Sequence, residues 1–423
     1  MRVLVVGNGA REDALSWRLA SSASCSAVVH APGNAGTATR GENWAISATD
    51  GKALTERAKR EGIELAVLGP ETAIAAGVGD RLRDAGIPTF GPGRSSGRLE
   101  SSKVFSKRFM ERHGIPTAKA RVVRSFDAAR QAIEEWEGSC VIKADGLAAG
   151  KGVVVAPDAK SAAAVINDWY ANNRIPGGGS ELLLEECLEG REVSVFALCD
   201  GRAMVPFAAA CDYKRAGDGD TGPNTGGMGA YSPPAAFPLD YLDVVREQII
   251  APTLRGLLAE GETYIGVLYC GLMWTASGPY VIEYNARFGD PETQVLIPRI
   301  NGDFARLLAT AAEGAVALDA VTISRDACVG VTIATKDYPR TSAPLRGLAA
   351  SFDLAPNAVV FWGNSTPKNG LVDAAGGRVL TVTATAPTIA QARAQTYEAV
   401  ARVGAQIGTS ELTYRSDIAA GLA

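Results

Sequence analysis

The stretch Tyr280-Val281-Ile282-Glu283-Tyr284-Asn285-Ala286-Arg287-Phe288-Gly289-Asp290-Pro291-Glu292-Thr293-Gln294 opens as an apolar strand and closes in a turn. Glu283 and Asn285 stand two apart, so on a strand both side chains leave the same face. A carboxylate beside an amide oxygen is a hard-oxygen pair that suits Mg²⁺ held jointly with phosphates. Arg287 falls on that face too, where a guanidinium can hold an anionic oxygen. A strand merely packed at a surface would not explain metal ligands, a cation and a Gly-Asp-Pro turn in one short span.

Working outward, Lys143 ends another apolar strand and is followed by Ala144-Asp145-Gly146-Leu147-Ala148-Ala149-Gly150-Lys151-Gly152-Val153. A Gly/Ala-rich loop between two strands can bring backbone N–H groups close to phosphates while its Lys supplies charge. It is not a P-loop, because Lys151 is followed by Gly and then by a strand. A hairpin with two solvated lysines is the plainer alternative. Gly7-Asn8-Gly9-Ala10-Arg11-Glu12 links the first strand to the first helix and offers a helix N-terminus to an anion. Taken alone it reads equally as a structural turn. Leu182–Leu188 runs from a buried strand into an irregular segment whose backbone suits an adenine edge, with Glu192 placed for ribose hydroxyls; simple solvation of these carboxylates is the alternative. Asp212-Tyr213-Lys214-Arg215 sets a carboxylate before two cations, which suits an anionic, amine-bearing substrate or an ordinary charged loop.

The element order is that of a multidomain chain. Arg2–Gly7, Ala27–His30, Leu65–Gly69 and Pro88–Phe90 read as strands, with helices at Glu12–Ala20, Ala53–Glu61 and Val78–Ala85 between them, and such alternation predicts a parallel sheet. Ser101–Arg112 reads as one basic amphipathic helix. Strands at Arg121–Val123, Cys140–Lys143, Gly152–Ala156 and Glu181–Glu185, helices at Phe126–Trp136 and Ser161–Tyr170, and a glycine turn at 177–179 predict a small α+β unit. Glu192–Leu198 is an alternating strand. Asp212–Pro234 reads as a long Gly-rich loop, a length that points to function. Helix Tyr241–Ala259, strands Tyr269–Trp274 and Pro279–Asn285, and helix Phe304–Ala312 follow. Strands Ala327–Thr335 and Arg378–Thr385 with helix Ile389–Val403 predict a separate C-terminal α+β unit.

Bulk properties exclude several function classes. At 423 residues the chain is too long for one core. A formal net charge of −4 gives no electrostatic case for nucleic acid. Seven cysteines without C-x-x-C spacing fit a reducing compartment rather than a disulfide framework. No cationic leader or long apolar run is present, so neither secretion nor membrane spanning is expected, and the expected location is cytoplasmic. Two histidines make a histidine zinc site or triad a poor fit.

Taken together, these segments resemble the ATP-grasp ligases, and within them the glycinamide ribonucleotide synthetase family. The resemblance runs from Gly7-Asn8-Gly9 to Tyr414-Arg415-Ser416-Asp417-Ile418. It is densest at 142–153, at Thr221-Gly222-Pro223-Asn224-Thr225-Gly226-Gly227-Met228-Gly229-Ala230-Tyr231-Ser232-Pro233 and at 287–294, with Pro32-Gly33-Asn34-Ala35-Gly36-Thr37 and Gly69-Pro70-Glu71 in support. It implies an α/β and α+β fold: an N-terminal Rossmann-like parallel-sheet domain over 1–99, an ATP-grasp core over 100–318 with a small mobile ATP-lid at about 120–188, and a C-terminal α+β domain over 319–423. It also implies joining of glycine to 5-phosphoribosylamine at the expense of ATP, through an acyl phosphate, by a monomer or homodimer. By the match, Lys103, Lys143, Gly150, Lys151, Gly152, Glu185, Glu186, Leu188 and Glu192 serve ATP, and Glu283 and Asn285 hold Mg²⁺ or Mn²⁺. Gly9, Asn34, Glu71, Asp212, Lys214, Arg287, Gly289, Asp290 and Arg378 serve the other substrates, with Arg287, Lys143 and Asp212 at the chemistry.

Four positions depart from the family pattern. Asp13 replaces a His after Gly9-Ala10-Arg11-Glu12, and Thr72-Ala73-Ile74 follows Glu71 where Ala-Pro-Leu is usual. Tyr213 replaces a His, and Asp337 replaces a Gly before Tyr338-Pro339. All four fall in regions that serve the phosphoribosylamine side. Asp13 in particular sets an anion near the presumed phosphate-binding turn. Two alternatives follow: a paralogous ligase for another amine or amino acid, and a nucleotide-binding relative without ligase activity.

Overall fold

The computed structural model describes residues 1–136, 139–147, 152–172, 174–176 and 181–422. Gly150, Lys151 and the glycine turn at 177–179 lie outside the described residues.

The first unit is a four-stranded parallel sheet in the order Ala27–Pro32, Arg2–Gly7, Leu65–Leu68, Thr89–Phe90. Val3, Leu4, Val5 and Val6 are all fully buried, as a parallel strand covered on both faces requires. Helix Ala10–Ala20 starts two residues earlier than expected. The predicted single helix over 101–112 is two. Helix Arg98–Ser101 ends at Ser102, whose extended backbone breaks the run. The Ser102 hydroxyl accepts the Phe105 N–H at 3.0 Å and caps a new helix, Lys103–Arg112, so Lys103 opens that helix.

The small unit is an antiparallel sheet ordered Ala120–Val123, Leu182–Glu186, Cys140–Ala144, Val153–Ala156. Helices Phe126–Glu134 and Ala159–Ala171 bury one side of it over Ala129, Ile133, Ile142, Ile166 and Leu184.

The largest sheet has nine strands and is antiparallel throughout. Its order is Gly278–Asn285, Ile265–Thr275, Arg191–Asp200, Met204–Asp212, Gly229–Ser232, Ala327–Thr335, Arg378–Ala386, Ala358–Trp362, with Leu412–Thr413 also on Ala327–Thr335. The sheet continues past 319 into the C-terminal segment, because Gly229–Ser232 pairs with Cys328–Val331. Gly229 makes that crossing possible: a Cβ there would stand 2.6 Å from the Gly330 carbonyl oxygen. The segment 212–234 is likewise not a structureless loop, since Arg215–Gly217 and Thr221–Asn224 form a hairpin before Gly229 joins the sheet. The helix expected over 241–259 contains a wider π-turn at Arg246–Ile250. Pro252, just beyond it, lacks an N–H and would crowd the Gln248 carbonyl in a regular helix. Among the described residues no helix is long and apolar enough to cross a membrane.

Candidate active site

A cleft of about 1270 Å³ opens between the first sheet, the small sheet and the end of the large one. The strand Gly278–Asn285 reaches it with Glu283 opposite Gly271 and Asn285 opposite Tyr269 on the neighbouring strand. Glu283, Asn285 and Arg287 all line the cleft, together with Ile282 and Tyr284. Among the described residues no group of three or more His, Cys, Asp or Glu side chains can hold a metal by itself. The donor set is thus one carboxylate and one amide oxygen, which fits a hard cation whose remaining shell is phosphate and water. Burial opposes ionisation of Glu283, but Lys214, Lys143, Lys103 and Arg287 hold its carboxyl below the usual range.

Arg287 lines the cleft already paired. It meets Glu100 at 3.0 Å and Glu71 at 3.3 Å, and donates to Asn285 Oδ1 at 3.2 Å. It orients the Asn285 amide and neutralises two carboxylates, rather than standing free for an anion. Burial alone would raise the Glu71 carboxyl, yet Arg287 and Arg11 bring it down to about 2.

Nucleotide-side candidates converge from three elements. Lys143 sits at the end of Cys140–Ala144 and is 3 % exposed. Its ammonium meets Glu185 at 2.6 Å and donates to the Ile282 carbonyl at 2.8 Å. Glu185, expected to serve ATP, lines the cleft and is held between Lys143 and Lys107, the latter at 2.8 Å. Lys103 donates to the Gly146 carbonyl at 3.0 Å, at the start of the Gly/Ala-rich loop. Gly152 and Leu188 line the cleft. So does Glu186, which accepts the Lys119 N–H at 2.8 Å, and Glu192 pairs with Lys214 at 2.8 Å.

On the far side, Asp212 ends the strand Met204–Asp212. Burial raises its carboxyl to about 7; Lys214 opposes this, and Glu292, Glu192 and Glu283 reinforce it. Asp290 and Arg378 face each other at 3.1 Å, and Arg378 also donates to the Gly226 and Asp290 carbonyls at 2.7 and 2.8 Å. Tyr269, on the cleft wall, donates to Glu292 at 2.7 Å and accepts from Ser194 at 2.8 Å.

Asn34 and Gly289 lie off the cleft wall, and Gly9 lines it with its N–H already bonded. The Gly9 N–H, offered as an anion donor, is bonded to the Glu12 carboxylate at 2.6 Å, which closes the turn on itself. Asn34 is 1 % exposed and away from the cleft wall. Its amide donates to the Asn8, Gly9 and Trp362 carbonyls at 3.1, 3.0 and 2.7 Å, so it splices the first turn to the C-terminal segment. Gly289 is buried behind Glu292, too close to admit a Cβ.

Asp13 does not face the cleft. It is fully buried, pairs with Arg40 and accepts the Trp362 N–H at 2.8 Å. Burial raises its carboxyl to about 6 against the pull of Arg40. Its replacement of His therefore sets an inter-segment anchor and puts no anion against a bound phosphate. Ala73 is fully buried away from the cleft as well. Tyr213 lies under the Arg415 guanidinium, 4.8 Å from its ring centre, and its hydroxyl accepts the Ala419 N–H at 2.9 Å. Sequence reading missed Lys107, Glu100, Glu292 and Tyr269. Lys107 alone had a local signal, one helical turn after Lys103.

Comparison with known proteins agrees with this geometry. Residues 1–100 match the phosphoribosylglycinamide synthetase N domain, 101–293 its ATP-grasp (A) domain and 328–421 its C domain. The phosphoribosylamine–glycine ligase of Caulobacter vibrioides is 43 % identical over 423 residues, covering 99 % of this chain and 97 % of that protein. That of Phenylobacterium zucineum is 46 % identical over 408 residues, covering 95 % and 96 %. The crystal structure of phosphoribosylamine–glycine ligase from Thermotoga maritima superposes with a TM-score of 0.85 at 32 % identity, covering 99 % of this chain and all of that one. A biotin carboxylase domain from Hydrogenobacter thermophilus, solved with MgADP, shares the fold at a TM-score of 0.73 and 14 % identity, covering 97 % and 91 %. The chain belongs to the phosphoribosylglycinamide synthetase family of ATP-grasp ligases.

Proposed function

We infer that the chain joins glycine to 5-phosphoribosylamine, giving glycinamide ribonucleotide, ADP and phosphate. The observation that carries this reading is one cleft in which Glu283 and Asn285 face Lys103 and Lys143, in a chain whose relatives of that name match it end to end. Glu283 and Asn285 would hold Mg²⁺ or Mn²⁺, which would supply neutralisation of the triphosphate charge.

The chain's own residues do the rest. Lys143 and Lys103 hold phosphate oxygens. A glycine carboxylate oxygen attacks the γ-phosphorus and ADP leaves, producing glycyl phosphate. The amine nitrogen of phosphoribosylamine then attacks the acyl carbon, and phosphate departs with the carboxylate oxygen it captured. The attacking amine must lose a proton. Asp212, whose carboxyl titrates near pH 7, is matched to accept it. Lys214 beside it and the Asp290–Arg378 pair flank the acceptor side.

Two of the four departures, Asp13 and Ala73, lie outside the cleft wall and do not argue for another acceptor, whereas Tyr213 lines it. A screen of amines against amino acids, read by ADP release, tests the assignment. Glycine with phosphoribosylamine is expected to give the highest kcat/KM, and a higher value for another pair would overturn it.

A further inference from the structure

Lys107 lies on the second turn of helix Lys103–Arg112, is 2 % exposed, and belongs to no part of the reaction described above. An ammonium has three donors. Those of Lys107 go to Glu185 at 2.8 Å, the Thr117 hydroxyl at 2.6 Å and the Ala118 carbonyl at 2.8 Å. None remains for a ligand. Lys143 differs: among the described residues only two of its donors have partners, Glu185 and the Ile282 carbonyl.

The contacts close a ring. Lys107 holds one Glu185 oxygen and Lys143 the other. Lys143 is tied to Ile282, while Thr117, held by Lys107, donates to the adjacent Val281 carbonyl at 2.8 Å. Ile282 precedes Glu283. The ring therefore spans the small sheet, which carries Lys143 and Glu185, and the strand that carries Glu283 and Asn285. We infer that Lys107 is a positioning residue that acts through Glu185: it fixes Lys143 against the strand of Glu283, so that its ammonium meets the nucleotide phosphates. This rests on the nucleotide reading given above.

The charge count points the same way. Two ammonium groups around one carboxylate leave the buried cluster net positive. Without Lys107, Glu185 would turn wholly to Lys143 and cancel the charge meant for phosphate.

The test uses the full chain and two probes, MgADP and adenosine, in equilibrium titrations. Lys107→Met is expected to weaken MgADP binding at least tenfold and to leave adenosine binding within twofold. In a Glu185→Gln background the same substitution is expected to change MgADP binding by less than twofold, because the intermediary is gone. Thr117→Val opens the ring without removing a charge and is expected to weaken MgADP alone, by a few-fold, which serves if Lys107→Met does not fold. Unchanged MgADP affinity in folded Lys107→Met or in Thr117→Val, equal losses for both probes, or the same loss in the Glu185→Gln background would overturn the inference. Wild-type protein that binds no MgADP would overturn the nucleotide reading as well, which separates the two failures.

Discussion

Glu283 is the residue on which the metal argument turns. It is an anion in a neighbourhood of four cations, Lys214, Lys143, Lys103 and Arg287, and its only hard-oxygen companion along the strand is Asn285. Glu283→Gln keeps the shape and removes the charge. Ligation is expected to fall by about 100-fold or more, on the scale of removing one preorganised charge-stabilising group. Steady-state rates at saturating ATP and Mg²⁺ check this, and a wild-type rate in the folded variant contradicts the assignment. Asp212 makes a pH prediction. Its folded carboxyl is raised from 3.8 to about 7, so the base form needed to accept a proton appears only as pH rises through about 7. The kcat/KM profile is expected to climb through that point and plateau above it. Asp212→Asn is expected to lower the plateau by about 10²- to 10⁴-fold and to abolish that limb. An unchanged limb in the variant assigns it to another group.

At the scale of elements, the hairpin Arg215–Asn224 is held from behind by the C-terminal segment. Arg415, 1 % exposed, pairs with Asp417 at 2.6 Å and Asp220 at 2.7 Å and donates to the Arg215 carbonyl at 3.2 Å. Arg415→Met removes these charged contacts, each worth about 1.5–3 kcal/mol. Amide hydrogen exchange over 215–224 is expected to quicken by about tenfold or more, while helix Phe304–Ala312 is unchanged; uniform protection in both would show that the hairpin stands without the strap. Elements of this kind divide into those legible in sequence and those not. Helix Phe304–Ala312 and strand Ala327–Thr335 were readable to the residue, because their periodicity is undisturbed. Strand Met204–Asp212 was not. Pro206 sits inside it, which demotes a strand reading, and the ladder is bulged between Pro206 and Ala208 to accommodate it. The π-turn before Pro252 and the break at Ser102 arise from single residues inside helical patterns. The shared cleft position of Glu283 and Asn285 was legible because period two is local. The partners of Arg287, Glu185 and Asp13 were not: Glu71 stands 216 positions from Arg287 and Trp362 stands 349 from Asp13, and no local rule selects them.

At the scale of the molecule, one antiparallel sheet runs from the strand that carries Glu283 and Asn285 into the C-terminal segment, and Asn34, Asp13 and Arg378 stitch the outer segments to it. The cleft is thus built by the whole chain, which is why its walls draw on residues from Asn8 to Leu422. The central claim is that a glycine carboxylate oxygen is handed to phosphorus before an amine displaces it. Glycine labelled with ¹⁸O in its carboxylate, incubated with ATP, Mg²⁺ and phosphoribosylamine, measures that transfer directly. The account predicts one ¹⁸O in each phosphate released, one ADP per glycinamide ribonucleotide, and dependence of product on all three substrates. Phosphate free of ¹⁸O while the amide forms would contradict it.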